Sequence, residues 1–301
     1  MLKKHIYNTF LLAIGLIMFL GSCQEDITIK TERGLPDKVV VEGRITNQNK
    51  QQIVRLTTTS DYFDTNSIKK ADIQSAYIYE LGTGNQYALQ PVDTGIGYYA
   101  TEAFSGKIGE EYQLDFDFNG DAYSASAYLD TIAQMDSIGY VYEYNKVYEA
   151  GFYRIQMTAT EPEPAGDYYM FNLYVNDTLY NDKLRLTSFT NDEFFNGMTV
   201  QNIDIVYLPQ EEIKMDTNFI RVEMLSISKE EYNFDNAFLS ETMGNGSIFS
   251  GPPADVPSNL KNNTTVDKNG LGFFAASSVV SREMFLIKQH DDSTNDPEYK
   301  K

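Results

Sequence analysis

Apolar and polar residues alternate with a period of two along most of this chain. KVVVEGRIT (38–46) and QQIVRLTTTS (51–60) are β-branched runs parted by the polar turn at 47–50, and they predict a hairpin. AYIYELG, QYALQ, GYYATEAF and EYQLDFDF follow at short intervals, with a Gly-Thr-Gly-Asn turn at 82–85. Many short strands with turns between them predict an N-terminal β-sandwich over residues 38–130, immunoglobulin-like or transthyretin-like in topology.

A second set of strands, YRIQMTAT, DYYMFNLYV, TVQNIDIVYL and NFIRVEMLSIS, predicts a C-terminal β-rich domain over 138–289. Residues 131–137 read as the linker between the two, and 290–301 as a polar tail. The final apolar stretch, GLGFFAASSVVSREMFLI, predicts one strand or a pair within that second domain. Between strands, Glu161-Pro-Glu-Pro-Ala-Gly166 reads as a loop, since proline cannot donate to a ladder and glycine permits the turn.

One segment departs from the period of two. Ser228-Lys-Glu-Glu231 matches a capping box, with the serine hydroxyl aimed at the N–H of residue 231 and Glu231 reaching back. The next residues place Tyr232, Phe238, Leu239 and Met243 on one face, and Gly244 can end the helix. The expected class is therefore mainly β with one helix of about four turns on the second sheet.

DFDFNGD (115–121) invites two readings. Asp115, Asp117, Asn119 and Gly120 occupy the first, third, fifth and sixth places of a calcium loop, but the twelfth, which needs a bidentate Glu, is Ser126. Leu114, Phe116 and Phe118 alternate with the acids, and Asn119-Gly120 is a favoured type I′ pair, so a hairpin is the better reading.

The N-terminus carries a different pattern. Lys3 and Lys4 precede an apolar run from Phe10 to Leu20, which ends in Gly21 and Ser22 before Cys23. Such a run is too short to cross a bilayer of about 30 Å and has the layout of a secretory signal over residues 1–22. Cys23 is the only cysteine, so no partner exists for an internal disulfide. Leu20-Gly-Ser-Cys23 resembles a bacterial lipobox, which implies cleavage before Cys23 and its acylation as the new N-terminus. A triacylated end anchors stably where one chain would not. Gln24, Glu25 and Asp26 resemble the export tag that carries Bacteroidetes lipoproteins to the cell surface, and residues 23–37 read as a tether.

Charge and composition narrow the partners. Without residues 1–22 the chain has 22 basic and 43 acidic residues, which repels phosphate backbones and excludes nucleic acid as a partner. With 42% hydrophobic residues it can build cores, and 22 Tyr and 18 Phe with no Trp favour pleated sheets.

VVVEGRIT (39–46), MLSISKEEYNF (224–234) and the pairing of IFSGPPADVPSNL (248–260) with GLGFFAASSV (270–279) resemble a Bacteroidetes outer-membrane lipoprotein family, domain of unknown function 4249. The resemblance covers nearly all of the mature chain. It implies a lipoprotein encoded beside TonB-dependent transporters, with no established activity and no shared catalytic residues. Arg44 stands here where the family often has an aromatic residue.

Candidate chemistry is sparse. The two histidines, His5 and His290, lie in the signal and in the tail, so neither Ser-His nor Cys-His catalysis nor histidine-based zinc chemistry is available to the expected domains. A carboxylate pair could hydrolyse glycosides, but nothing selects two among so many. The expectation is a protein that is not an enzyme, with no catalytic residues, no metal and no cofactor.

Binding residues are easier to nominate. Tyr140, Tyr142 and Tyr144 share one side of a predicted strand, and Phe194 and Phe195 lie in a polar loop. Against this stands the plainer reading, a tyrosine-rich sheet packing its own core. The expected function is an accessory or ligand-binding partner of a TonB-dependent transporter, handling a small nutrient, glycan or peptide. The alternative is a structural or adhesive module at the cell surface.

Overall fold

The structure, a computed structural model, describes residues 38–60, 68–145, 147, 149–244 and 256–289. The described chain is mainly β with one α-helix. The first strands are β1 (Val39–Thr46), β2 (Lys50–Thr58), β3 (Lys69–Lys70), β4 (Ile73–Glu80), β5 (Asn85–Ala88), β6 (Gln90–Pro91), β7 (Tyr98–Phe104), β8 (Glu111–Phe118) and β9 (Asp121–Tyr128). Then come β10 (Gln134–Asn145), β11 (Ala150–Thr160), β12 (Tyr168–Val175), β13 (Thr178–Leu179), β14 (Ser188–Asn191), β15 (Thr199–Pro209) and β16 (Thr217–Ile227). Helix α1 (Lys229–Gly244) precedes β17 (Lys261–Asn262), β18 (Leu271–Ser277) and β19 (Val279–Ile287).

Two sandwiches result. In the first, β18-β1-β2-β7-β6, with β3 on β2, faces β17-β9-β8-β4-β5 over a core that includes Ile45, Leu56, Tyr112, Leu114 and Phe274. In the second, β10-β11-β15 faces β13-β12-β16-β19, with β14 on β12, over Met135, Tyr153, Ile155, Phe171 and Val222. Each core forms because alternation puts every second side chain inside, as in β8, where Tyr112, Leu114, Phe116 and Phe118 are buried and Asp115 and Asp117 are not.

DFDFNGD is the tip of the β8–β9 hairpin. Phe118 pairs with Asp121, and Asn119 and Gly120 take φ of 53° and 85°, as a two-residue type I′ turn requires.

The last strands depart from the expected domain division. Residues 271–277, assigned to the second domain by order along the chain, run parallel to β1 in the first sandwich, with Val41 opposite Gly272 and Arg44 opposite Ala275. Leu260, Phe274 and Ala276 belong to the first core. The chain then passes through the fully buried Ser277 and Ser278 directly into β19, which pairs with β16 in the second sandwich. The stretch 131–137 also differs from a linker, because Ala133 and Met135 are buried in the second core and β10 already starts at Gln134. Its polar character hid two inward positions at alternate spacing.

Backbone bonds stitch the crossing point. Ser278 N–H donates to the Ser226 hydroxyl (2.9 Å), Ser226 N–H to the Ser278 carbonyl (2.9 Å), and Val279 N–H to Asn47 Oδ1 (2.9 Å).

Helix α1 begins at the predicted cap, with Glu231 N–H donating to the Ser228 hydroxyl at 3.0 Å. The Glu231 carboxylate goes to the Arg44 guanidinium on β1, whose other nitrogen reaches the Ser277 hydroxyl at 2.5 Å. The buried face also differs from the apolar stripe expected. Phe238 and Met243 are exposed, whereas Glu231 and Asp235, one turn apart, are buried. Tyr232 does pack inward, onto a small cluster with Met170, Leu225, Ile227 and Val279, while Phe234 meets Phe273 of β18 (5.3 Å between ring centroids). The helix thus lies over strands of both sandwiches.

Candidate functional site

Where β9 leaves the first sandwich and α1 begins beside it, two adjoining cavities open, of about 210 and 250 Å³. They share Tyr128, Ser228, Glu230 and Ala276 in their walls. The smaller is lined by Ala127, Phe273, Ala275 and Ala276 and is mainly apolar. The larger takes Asp130 from the end of β9, Asp167 and Tyr168 from the start of β12, and Lys229 and Glu230 from the first turn of α1. The crossing of β18 into β19 brings these elements to one place, since Ala276 lies just before the junction.

Behind Asp167 sits a carboxylate cluster. Oxygens of Glu161, Asp167 and Asp192 lie within 4.8 Å of one another, with Glu161 and Asp192 buried. The Tyr169 hydroxyl donates to Glu161 Oε1 (2.5 Å), and Gly166 N–H donates to both oxygens of Asp192 (3.1 and 2.9 Å). Burial, and then the charges of Asp167 and Asp192, push Glu161 up to about 7 against the pull of the Tyr169 hydrogen bond. Burial and the charges of Asp192 and Asp130 raise Asp167 as well. Tyr169 is raised by its own burial and by Glu161.

This oxygen-only set suits a hard cation by donor type, but calcium takes about six to eight oxygens, and Glu161 and Asp192 already accept from Tyr169 and Gly166. A carboxyl that holds its proton to about pH 7 acts instead as a donor among acceptors. Glu161 and Asp192 are absent from both cavity walls, so of the cluster only Asp167 reaches the groove and the other two carboxylates lie behind it.

The nominated aromatic residues stand elsewhere. Tyr140 and Tyr142 set their rings 5.8 and 5.1 Å from Tyr153, on the second core, where the Tyr142 hydroxyl donates to Gln210 and the Tyr140 oxygen accepts from Ile287 N–H. Tyr144, past the core's edge, is 45% exposed, and Phe194 is 84% exposed beside a half-buried Phe195. None of the five lines either cavity. The groove residues Tyr128, Asp130, Asp167 and Glu230 come from distant segments; the Ser228 cap, the loop ending at Gly166 and the GLGFFAASSV stretch adjoin them, and none of these pointed to a cavity.

Cys23, Gln24, Glu25 and Asp26 lie outside the described residues. Among the described residues, no helix is long and apolar enough to cross a membrane.

The search of curated proteins finds no match. Among solved structures, the chain is similar to the chicken interferon gamma receptor alpha chain, at 8% identity over 63% of this chain and 89% of that one, with a TM-score of 0.18. A superposition of that quality carries no fold or functional assignment. Residues 24–283 match the family described as Domain of unknown function (DUF4249), and the chain belongs to that family.

Proposed function

We propose that this chain is a lipid-anchored outer-membrane protein facing the cell surface, which serves a TonB-dependent transporter as a non-enzymatic, ligand-capturing accessory. The observation that carries the reading is FLGSCQED at 19–26, in which the sole cysteine follows a short apolar run and precedes an acidic pair. A thioether-linked lipid accounts for a thiol that has no second cysteine to pair with. Family membership supports the placement beside transporters through the resemblance described above. The groove at the start of α1, with aromatic and charged walls, supports the ligand-capturing part.

Affinity purification of the full lipidated chain from native membranes tests it. Stoichiometric recovery of a large outer-membrane barrel is the expected result. Recovery of the chain alone from membranes overturns the accessory role and leaves the adhesive or structural reading.

A further inference from the structure

We propose that the groove at the start of α1 binds a short peptide carrying a cationic group beside an apolar side chain, with the cation in the larger lobe and the apolar group in the smaller. This deepens the ligand-capturing part of the proposed function and rests on that reading.

Charge decides the first half. Asp130, Asp167 and Glu230 face the larger lobe against a single cation, Lys229, and the charge of Asp192 lies behind Asp167. Such a lobe repels phosphates, uronic acids and carboxylates. A neutral ligand would leave the crowding of these carboxylates unrelieved, whereas an ammonium or guanidinium group relieves it. Such a group also offers donors only, which matches ionised carboxylates that only accept. Tyr128 and Tyr168 add aromatic area to the wall of this lobe.

Shape decides the second half. Each lobe has room for about one side chain, and the lobes meet at Tyr128 and Glu230. The smaller is walled mainly by Ala127, Phe273, Ala275 and Ala276, which offer apolar contact, with Glu230 on the side it shares with the larger. A cation with an apolar group one residue away fits both lobes together.

The test is calorimetric titration of the full lipidated chain, in detergent, with arginyl-phenylalanine amide, glutamyl-phenylalanine amide and maltose. The expected result is saturable binding of the first alone. That binding should weaken by about tenfold or more in Glu230→Lys, by about threefold in Glu230→Gln, and with added salt. Tyr128→Ala, also at an exposed position, should weaken it similarly and guards against a folding defect in the charge reversal. No saturable binding of the arginyl peptide overturns the proposal, as does binding indifferent to all three variants or preference for maltose. No barrel enters this assay, so its failure and failure of the membrane purification are separate results.

Discussion

Arg44 on β1 and Glu231 on α1 form an ion pair between residues 187 positions apart in the chain, with Glu231 buried. The pair ties the helix to the first sandwich, while Tyr232 ties it to the second.

Removing the cation leaves Glu231 and the nearby Asp235 buried without it. Arg44→Ala is expected to cost about 2–3 kcal/mol in urea unfolding, below the range for a fully buried pair because Arg44 is partly exposed. Glu231→Gln added to Arg44→Ala should recover part of that loss. A double variant as unstable as the sum of the single ones would show that the two residues act independently.

Stability should fall as pH rises. Burial, and for Asp235 the charge of Glu231, push Glu161 and Asp235 each up to about 7, while Arg44 pulls Asp235 the other way. Both acids bind a proton more tightly in the folded chain than in the unfolded one. The stability they contribute is complete below their unfolded pKa of about 4 and is lost as pH rises through about 7. Unfolding free energy is expected to drop between pH 5 and pH 8 by an amount on the order of 2 kcal/mol, read as a falling melting temperature across that range. Asp235 Oδ2 has no hydrogen-bond partner, so Asp235→Asn together with Glu161→Gln should flatten the slope. An equal slope in the double variant would assign the effect to general self-repulsion of the acidic surface.

Gly272 cannot accept a side chain. Its φ is +83°, and an added Cβ would stand 1.9 Å from the Val41 carbonyl oxygen across the parallel β1–β18 pair. Gly272→Ala is expected to destabilise by about 2–4 kcal/mol, combining left-handed backbone strain with a clash against main chain. A near-neutral effect in urea unfolding would place β18 differently.

Cys23→Ala is expected to leave circular dichroism and melting unchanged while moving the protein from the membrane fraction to the soluble one. Continued tight membrane retention would overturn lipid anchoring at this residue.

Features that depend on neighbours along the chain are legible in the sequence. Alternation in EYQLDFDF and AYSASAYL, with Asn119-Gly120 between them, defined a hairpin together with its turn, because a two-residue loop sets both conformation and register. The Ser228 cap likewise marked the start of α1, since the hydroxyl needs only an N–H three residues on. Tertiary structure alone decided where the last strands went. The apolar run at 271–287 reads as strand throughout, yet its two halves serve different cores, and nothing in a period of two says which sheet a strand joins. The helix face was decided the same way: Glu231 and Asp235 turn inward because Arg44 stands there, a residue no local window contains. The groove follows from both, assembled from β9, β12, α1 and β18 by long-range packing, and for that reason no stretch of the chain announced that its residues would meet.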